Sequence, residues 1–147
     1  MEAEAARRLH RLLVELMALG HQKFFRAWHK YDAAGGLKKN QMKLVALLFH
    51  EGVRTATELS SKLDLEKGSL TSLLDSLEQR GLIRRNINPR DRRQTLVSLT
   101  VEGRRHMEKT VEAHQAILMQ NLKDADAAEI ERLIASLEVA VGIMRKL

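Results

Sequence analysis

Apolar positions recur at three-and-four spacing along most of this chain, which is the period of a helix with one buried face. Leu9, Leu12, Leu13, Leu16, Leu19, Phe24, Phe25 and Trp28 keep that spacing for much of residues 3–30 and predict one long helix. Their stripe suits packing on the chain's own core. On a terminal helix it also suits burial against a second chain. Gly35 and Gly36 then predict a loop. Asn40 is the expected N-cap of a second helix over residues 41–49, which carries Met42, Leu44, Val45, Leu47 and Leu48 before Gly52 stops it. Thr55 and Glu58 have capping-box spacing, each side chain able to meet the other's backbone N–H, so a short third helix is expected over residues 55–62. A fourth, residues 67–80, buries Leu70, Leu73, Leu74 and Leu77 and ends at Gly81, where a left-handed residue belongs.

The period then drops to two. Residues 82–87 predict a strand, and Asn88, Pro89, Arg90 and Asp91 predict a turn. Residues 95–99 predict a returning strand, with Thr95, Val97 and Leu99 on one face and Leu96 opposite. Helical spacing resumes where Thr100 caps a fifth helix over residues 101–122. Asp126 and Glu129 are expected to form a second capping box before a last helix lined by Ile130, Leu133, Ile134, Leu137, Val141 and Met144. Two short helices joined by a tight turn and followed by a hairpin make a winged helix-turn-helix. The expected fold class is mainly α: a winged helix-turn-helix between long flanking helices, about six helices plus one β-hairpin.

Charge points to a partner. The net charge of the 147 residues is +6, and the excess gathers between residues 80 and 93. There Arg80, Arg84, Arg85, Arg90, Arg92 and Arg93 face Asp91 as the only acid. The polar face of the fourth helix carries Lys67, Ser69, Thr71, Ser72 and Ser76. A slim helix with short hydroxyl side chains at its leading end fits a major groove, because hydroxyls donate and accept and Thr tolerates a thymine methyl. Lys67 suits a phosphate, and Arg90 and Arg92 at the wing tip suit the negative potential of a minor groove. Asp91 would repel DNA unless paired, so it is expected to bond Arg93 and stiffen the wing. Double-stranded DNA is therefore the expected partner. A winged helix can also be a protein-interaction module that docks an acidic partner on the same basic wing.

Other chemistry is thin. There is no cysteine, which excludes disulfides, Cys-ligated zinc and thiol sensing and fits a reducing compartment, so a cytoplasmic location is expected. No signal-peptide pattern opens the chain and no stretch approaches ~20 apolar residues, so no membrane partner is expected. The six histidines form no HExxH. His106 and His114 lie two turns apart on the fifth helix, with Glu102 one turn before His106; scattered surface histidines are the default expectation, and a zinc or proton site joined by His10 or His50 is the alternative. No Gly-rich phosphate loop and no serine with a base partner occurs, so neither a cofactor nor an enzymatic activity is expected.

From Asn88 to Gly103 the chain resembles the MarR family, the multiple antibiotic resistance regulators. The family's wing signature is an acidic residue, any residue, Arg, Asp, any residue, Arg, and then, a few residues on, Leu-Thr-x-x-Gly. Arg90, Asp91, Arg93, Leu99, Thr100 and Gly103 match it. Thr55, Glu58, Leu59, Ser69, Thr71, Leu77, Glu78, Gly81, Leu82 and Ile83 agree with the pattern upstream. The motif match covers about residues 55–103, and the order of helices extends it along the chain. Asn88 departs from the usual leading Asp. Glu66, a poorer cap, precedes the recognition helix where Ser or Asp is common, and Ser72 stands where many members carry Arg.

The resemblance implies one domain, in which residues 1–35 and 101–147 dimerise and residues 38–100 form the DNA-binding lobe. It implies a homodimer on a pseudo-palindromic operator and a repressor, less often an activator, released by a small effector. A constitutive DNA-binding regulator without a ligand is the alternative. Family pockets for aromatic or phenolic anions lie between the dimer region and the lobe, which implies Phe25, Trp28, Met42 and His50 as liners. The family's peroxide-sensing branch needs a cysteine, and His106, Thr110 and His114 do not reproduce the histidine spacing of its zinc-sensing branch.

Overall fold

One continuous rod opens the fold: α1 (Ala3–Gly20), a π turn (His21–Phe25) and α2 (Arg26–Ala34). The computed structural model describes residues 2–147. The rod runs past the expected end at residue 30, into the loop where Gly36 takes φ +80. It is also not uniformly α-helical. The Arg26 N–H reaches the His21 carbonyl, a one-residue widening of the helical turn. The Phe25 ring lies over Gly20, where a Cβ would stand 3.0 Å from it.

The lobe follows as α3 (Lys39–Glu51), β1 (Arg54–Thr55), α4 (Ala56–Leu63), α5 (Lys67–Gln79), β2 (Ile83–Asn88) and β3 (Asp91–Leu99). The chain closes with α6 (Val101–Leu122) and α7 (Ala127–Met144). The fold is the expected winged helix-turn-helix between flanking helices, with three local corrections.

First, α3 starts at Lys39 with Lys38 as its N-cap, so Asn40 lies inside the first turn. Gln41 causes this. Its Oε1 accepts from the Lys38 N–H at 2.8 Å while its Nε2 donates to Ser76 Oγ on α5 at 2.8 Å. The long-range bond fixes where the helix begins and overrides the local preference of Asn40. At its other end α3 runs on past residue 49 to Glu51, and Gly52 stops it with φ 77. Second, a third strand exists. Arg54 pairs with Val97 and Thr55 with Leu96, giving the order β1-β3-β2. Two residues carry no periodicity from which to read a strand. Third, the box at Asp126 is one-sided. Asp126 Oδ1 accepts from the Ala128 N–H at 3.0 Å, with no return bond from Glu129 among the described residues.

The box at Thr55 is complete: the Thr55 N–H meets Glu58 Oε2 at 2.7 Å, and the Glu58 N–H meets Thr55 Oγ1 at 3.1 Å. The tight turn after α4 uses Asp64 in the left-handed region, φ 51, a conformation its short side chain tolerates. The Leu65 N–H closes that turn on Ser60 O at 3.0 Å, and Ser60 Oγ donates to the Leu65 carbonyl. α6 is joined to the lobe through Thr100. Its Oγ1 accepts from the Gly103 N–H at 3.0 Å and donates to Gly81 O at 2.6 Å, while its own N–H donates to Leu82 O at 3.1 Å.

Among the described residues, every buried apolar side chain lies between Leu37 and Met107. Leu44, Val45 and Leu48 of α3, Leu59 of α4, Leu70, Leu74 and Leu77 of α5, and Ile83 and Val97 of the hairpin form one core. At about 1.5–3 kcal/mol for each fully buried aliphatic side chain, this core is what holds the lobe together. Neither α1 nor α7 buries any residue. Leu9, Leu12, Leu13, Leu16 and Leu19 keep 40–50% of their surface exposed, and Leu133, Ile134, Leu137 and Val141 keep 40–44%. Packing of the α1 stripe on the chain's own core is therefore overturned: the stripe is open surface of the single chain. No helix among the described residues is long and apolar enough to cross a membrane.

Candidate nucleic-acid interface

Lys67, Ser69, Thr71 and Ser72 stand exposed at the leading end of α5. No side chain caps the helix at Glu66. Thr71 Oγ1 donates to Lys67 O at 3.0 Å and Ser72 Oγ to Gly68 O at 3.2 Å. These bonds to the preceding turn park the hydroxyl protons and leave the oxygen lone pairs facing out. Ser76 differs. It is half-buried and its oxygen accepts from Gln41, so it sits on the seam between α5 and α3 rather than on the leading face.

The wing is shaped by its own side chains. Asn88 Oδ1 accepts from the Arg90 N–H at 3.0 Å, and its Nδ2 donates to Gln94 Oε1 at 2.9 Å. The turn needs only a side-chain carbonyl at this position, which Asn supplies as well as Asp. Asp91 Oδ1 accepts from the Arg93 N–H at 3.1 Å and from its Nε at 3.2 Å, the pairing expected. The Arg93 side chain remains 91% exposed, so the ion pair itself adds little stability; the backbone bond is what shapes the turn. Arg90 and Arg92 project into solvent, and neither forms an ion pair among the described residues.

A lock between wing and helix went unread in the sequence. Arg85 Nη2 lies 2.6 Å from Asp75 Oδ1 and 2.6 Å from Glu78 Oε2, and the Arg85 N–H reaches Glu78 Oε1 at 3.2 Å. Asp75 and Glu78, two acids three apart on a helix otherwise offering hydroxyls and a lysine to the groove, were the available signal. The Arg85 guanidinium, then its backbone N–H, hold the Glu78 carboxyl below the ordinary carboxylate range. A lowered folded pKa adds stability that is complete above the unfolded value, about 4.5, and is lost as pH falls through the folded one. In urea titrations Glu78→Gln is expected to lower stability at pH 7 and to flatten the decline on acidification. Equal pH slopes for the two proteins would remove Glu78 from this role.

Two further tethers join α5 to the rest. Gln41 holds Ser76, and Arg80 Nη1 donates to Gly36 O at 2.6 Å. Below them, Phe25 and Trp28 meet edge to face with centroids 5.4 Å apart, and Trp28 stacks on His114 at 4.7 Å. His114 Nε2 in turn lies 3.0 Å from Asp32 Oδ1. Met42 packs instead against the lobe core, and His50 against Phe49. The structure thus gathers Phe25 and Trp28 of the four implied liners and adds His114 and Asp32. Trp28 Nε1 is buried there without a hydrogen-bond partner among the described residues, and so is His106 Nε2 further back on α6, beside Gly35.

A family model described as MarR family matches residues 37–95, the stretch that holds α5 and the wing tip. The multiple antibiotic resistance protein MarR of Salmonella typhimurium is 32% identical over 127 residues, which cover 83% of this chain and 88% of that protein. The chain belongs to the MarR family. It is a winged helix-turn-helix transcription regulator, not an enzyme. The HTH-type transcriptional regulator YdgJ of Bacillus subtilis is 30% identical over 105 residues; the match takes in 71% of this chain and spans 64% of that regulator's length. Among solved structures, a mutant of MarR from E. coli complexed with operator DNA superposes with a TM-score of 0.63 at 28% identity, over 87% of this chain and 92% of that one.

Proposed function

We propose that this MarR-family regulator works in the cytoplasm as a homodimer that binds a pseudo-palindromic operator and represses transcription until a small aromatic effector releases it. One observation carries the DNA reading: α5 presents Lys67, Ser69, Thr71 and Ser72 beside a wing that Arg85 locks to the same helix. In this reading α5 enters a major groove, where Ser69, Thr71 and Ser72 read base edges and Lys67 meets phosphate. Arg90 and Arg92 enter the adjoining minor groove, and Asp91 with Arg93 keeps the tip in shape. Ser76 serves as an anchor for α5 rather than as a reader.

The homodimer is supported by the two exposed apolar stripes, which have no partner in their own chain. The operator is supported by the relative whose structure holds operator DNA. Release by an effector is supported by the junction of α2 and α6, where the buried Trp28 Nε1, unpaired among the described residues, belongs to the ring that stacks on His114.

Titrating duplex DNA at several salt concentrations tests the reading. Arg92→Ala is expected to weaken binding to all sequences alike and to make the salt slope shallower by about 2 for a dimer, one phosphate charge neutralised from the groove per protomer. Thr71→Val or Ser72→Ala should instead change which sequences are selected from a random pool. Unchanged affinity of Arg92→Ala at physiological salt would remove the wing from the interface.

A further inference from the structure

A helix lying in a major groove has a row of phosphates on each side, because the groove is only about 12 Å wide. The wing accounts for one side. It flanks the edge of α5 that carries Thr71 and Lys67, across a cleft also lined by Thr95 and Arg85. The other edge of α5, the line Ser69, Ser72 and Ser76, borders a separate cleft of about 420 Å³, whose opposite wall is Lys38 and Lys39. No acidic side chain lines that cleft. Both lysines are exposed, and neither forms an ion pair among the described residues. Two adjacent ammonium groups without counter-charge repel each other and gain from any fixed anion placed between them and α5.

Their position relative to α5 is set by bonds rather than by a flexible loop. Gln41 ties the start of α3 to Ser76, and Arg80 ties Gly36, two residues before Lys38, to the end of α5. Wherever α5 goes, the two lysines go with it, on the side away from the wing.

We propose that Lys38 and Lys39 bind the DNA phosphodiester backbone on the strand opposite the one the wing approaches, so that each lobe clamps the groove from both sides. The proposal rests on the DNA reading above and adds a further, sequence-independent contact surface to it. Lys38 and Lys39 would act as positioning residues. They would fix how deep and at what tilt α5 sits, and leave the choice of base to Ser69, Thr71 and Ser72.

The test is the salt dependence of duplex binding by the full-length protein. Two lysines in each of two protomers, one phosphate apiece, predict a slope shallower by about 3–4 in Lys38→Gln/Lys39→Gln, with affinity falling equally on all sequences. Lys109→Gln/Lys123→Gln removes the same charge from exposed sites on α6 and just after it, and is expected to keep the wild-type slope. A Lys38/Lys39 variant with the wild-type slope, or with the slope of the Lys109/Lys123 variant, overturns the inference while the DNA reading stands. Salt-independent or absent binding by the wild type overturns both. Circular dichroism of each variant checks that these surface changes leave the fold intact.

Discussion

Gly103→Ala is expected to destabilise the protein by roughly 2 kcal/mol or more, although alanine is the better helix former. Two opposing magnitudes decide this. Inside a helix the exchange gains about 1 kcal/mol of propensity. Against that, a Cβ at Gly103 would stand 2.0 Å from the Leu82 carbonyl oxygen and 3.2 Å from Leu99 Cδ2. The first obstacle is backbone and cannot rotate away. The same oxygen accepts the Thr100 N–H at 3.1 Å, so relief requires α6 to lift from the lobe and break the bond that starts it. Overpacking of this kind costs about 1–3 kcal/mol and more where backbone must move. For a chain of this size the net loss is a melting temperature lower by about 5 °C or more. Gly68→Ala, where nothing lies within 4 Å, is expected to change the melting temperature little or raise it. If Gly103→Ala melts at or above wild type, α6 does not dock on Leu82 in this way.

Leu137→Glu is expected to turn the dimer into monomers and abolish operator binding at physiological salt. Leu137 sits mid-stripe on α7, 40% exposed in the single chain, with Leu133, Ile134 and Val141 beside it. In a two-fold dimer each substitution counts twice. A desolvated, unpaired carboxylate costs several kcal/mol, so about 6 kcal/mol in total weakens association on the order of 10⁴-fold. The lobe core between Leu37 and Met107 is untouched, so the monomer should keep its helical content. Light scattering coupled to gel filtration reads the mass, and Leu12→Glu on α1 should give the same result. A dimeric Leu137→Glu protein would mean that this stripe is covered by something else.

The two expectations draw on features that were legible to very different degrees. Thr55 with Glu58 and Thr100 with Gly103 are local pairs, and local pairs can be read from spacing. So can Gly81, which takes φ 73 behind α5, and the turn at Asn88, whose side chain bonds two residues ahead. Contacts that join distant parts of the chain left no such trace. Gln41 finds Ser76 across 35 residues, Arg80 finds Gly36 across 44, and His114 finds Asp32 across 82. Each depends on how helices pack, and two of them revise a local expectation: Gln41 moves the cap away from Asn40 and draws Ser76 to the α3 seam, and Asp32 draws His114 out of the scattered surface histidines. The α1 stripe shows the same limit in another form. Periodicity says that a face is apolar; it does not say which molecule covers it.

Because the Arg26 N–H bonds to the carbonyl five residues back, the rod gains about one residue over a plain α-helix at this point, and everything after it is rotated by about 100°. A plain α-helix would leave Trp28 and Asp32 roughly 120° or more from the Leu9-to-Leu19 ridge, and the widened turn brings them back to within roughly 60° of it. The ridge is exposed in the single chain, and the Trp28–Asp32 face packs on α6, where His114 meets both Trp28 and Asp32. The widened turn therefore lets one rod carry an open apolar ridge and its α6 contact on much the same side.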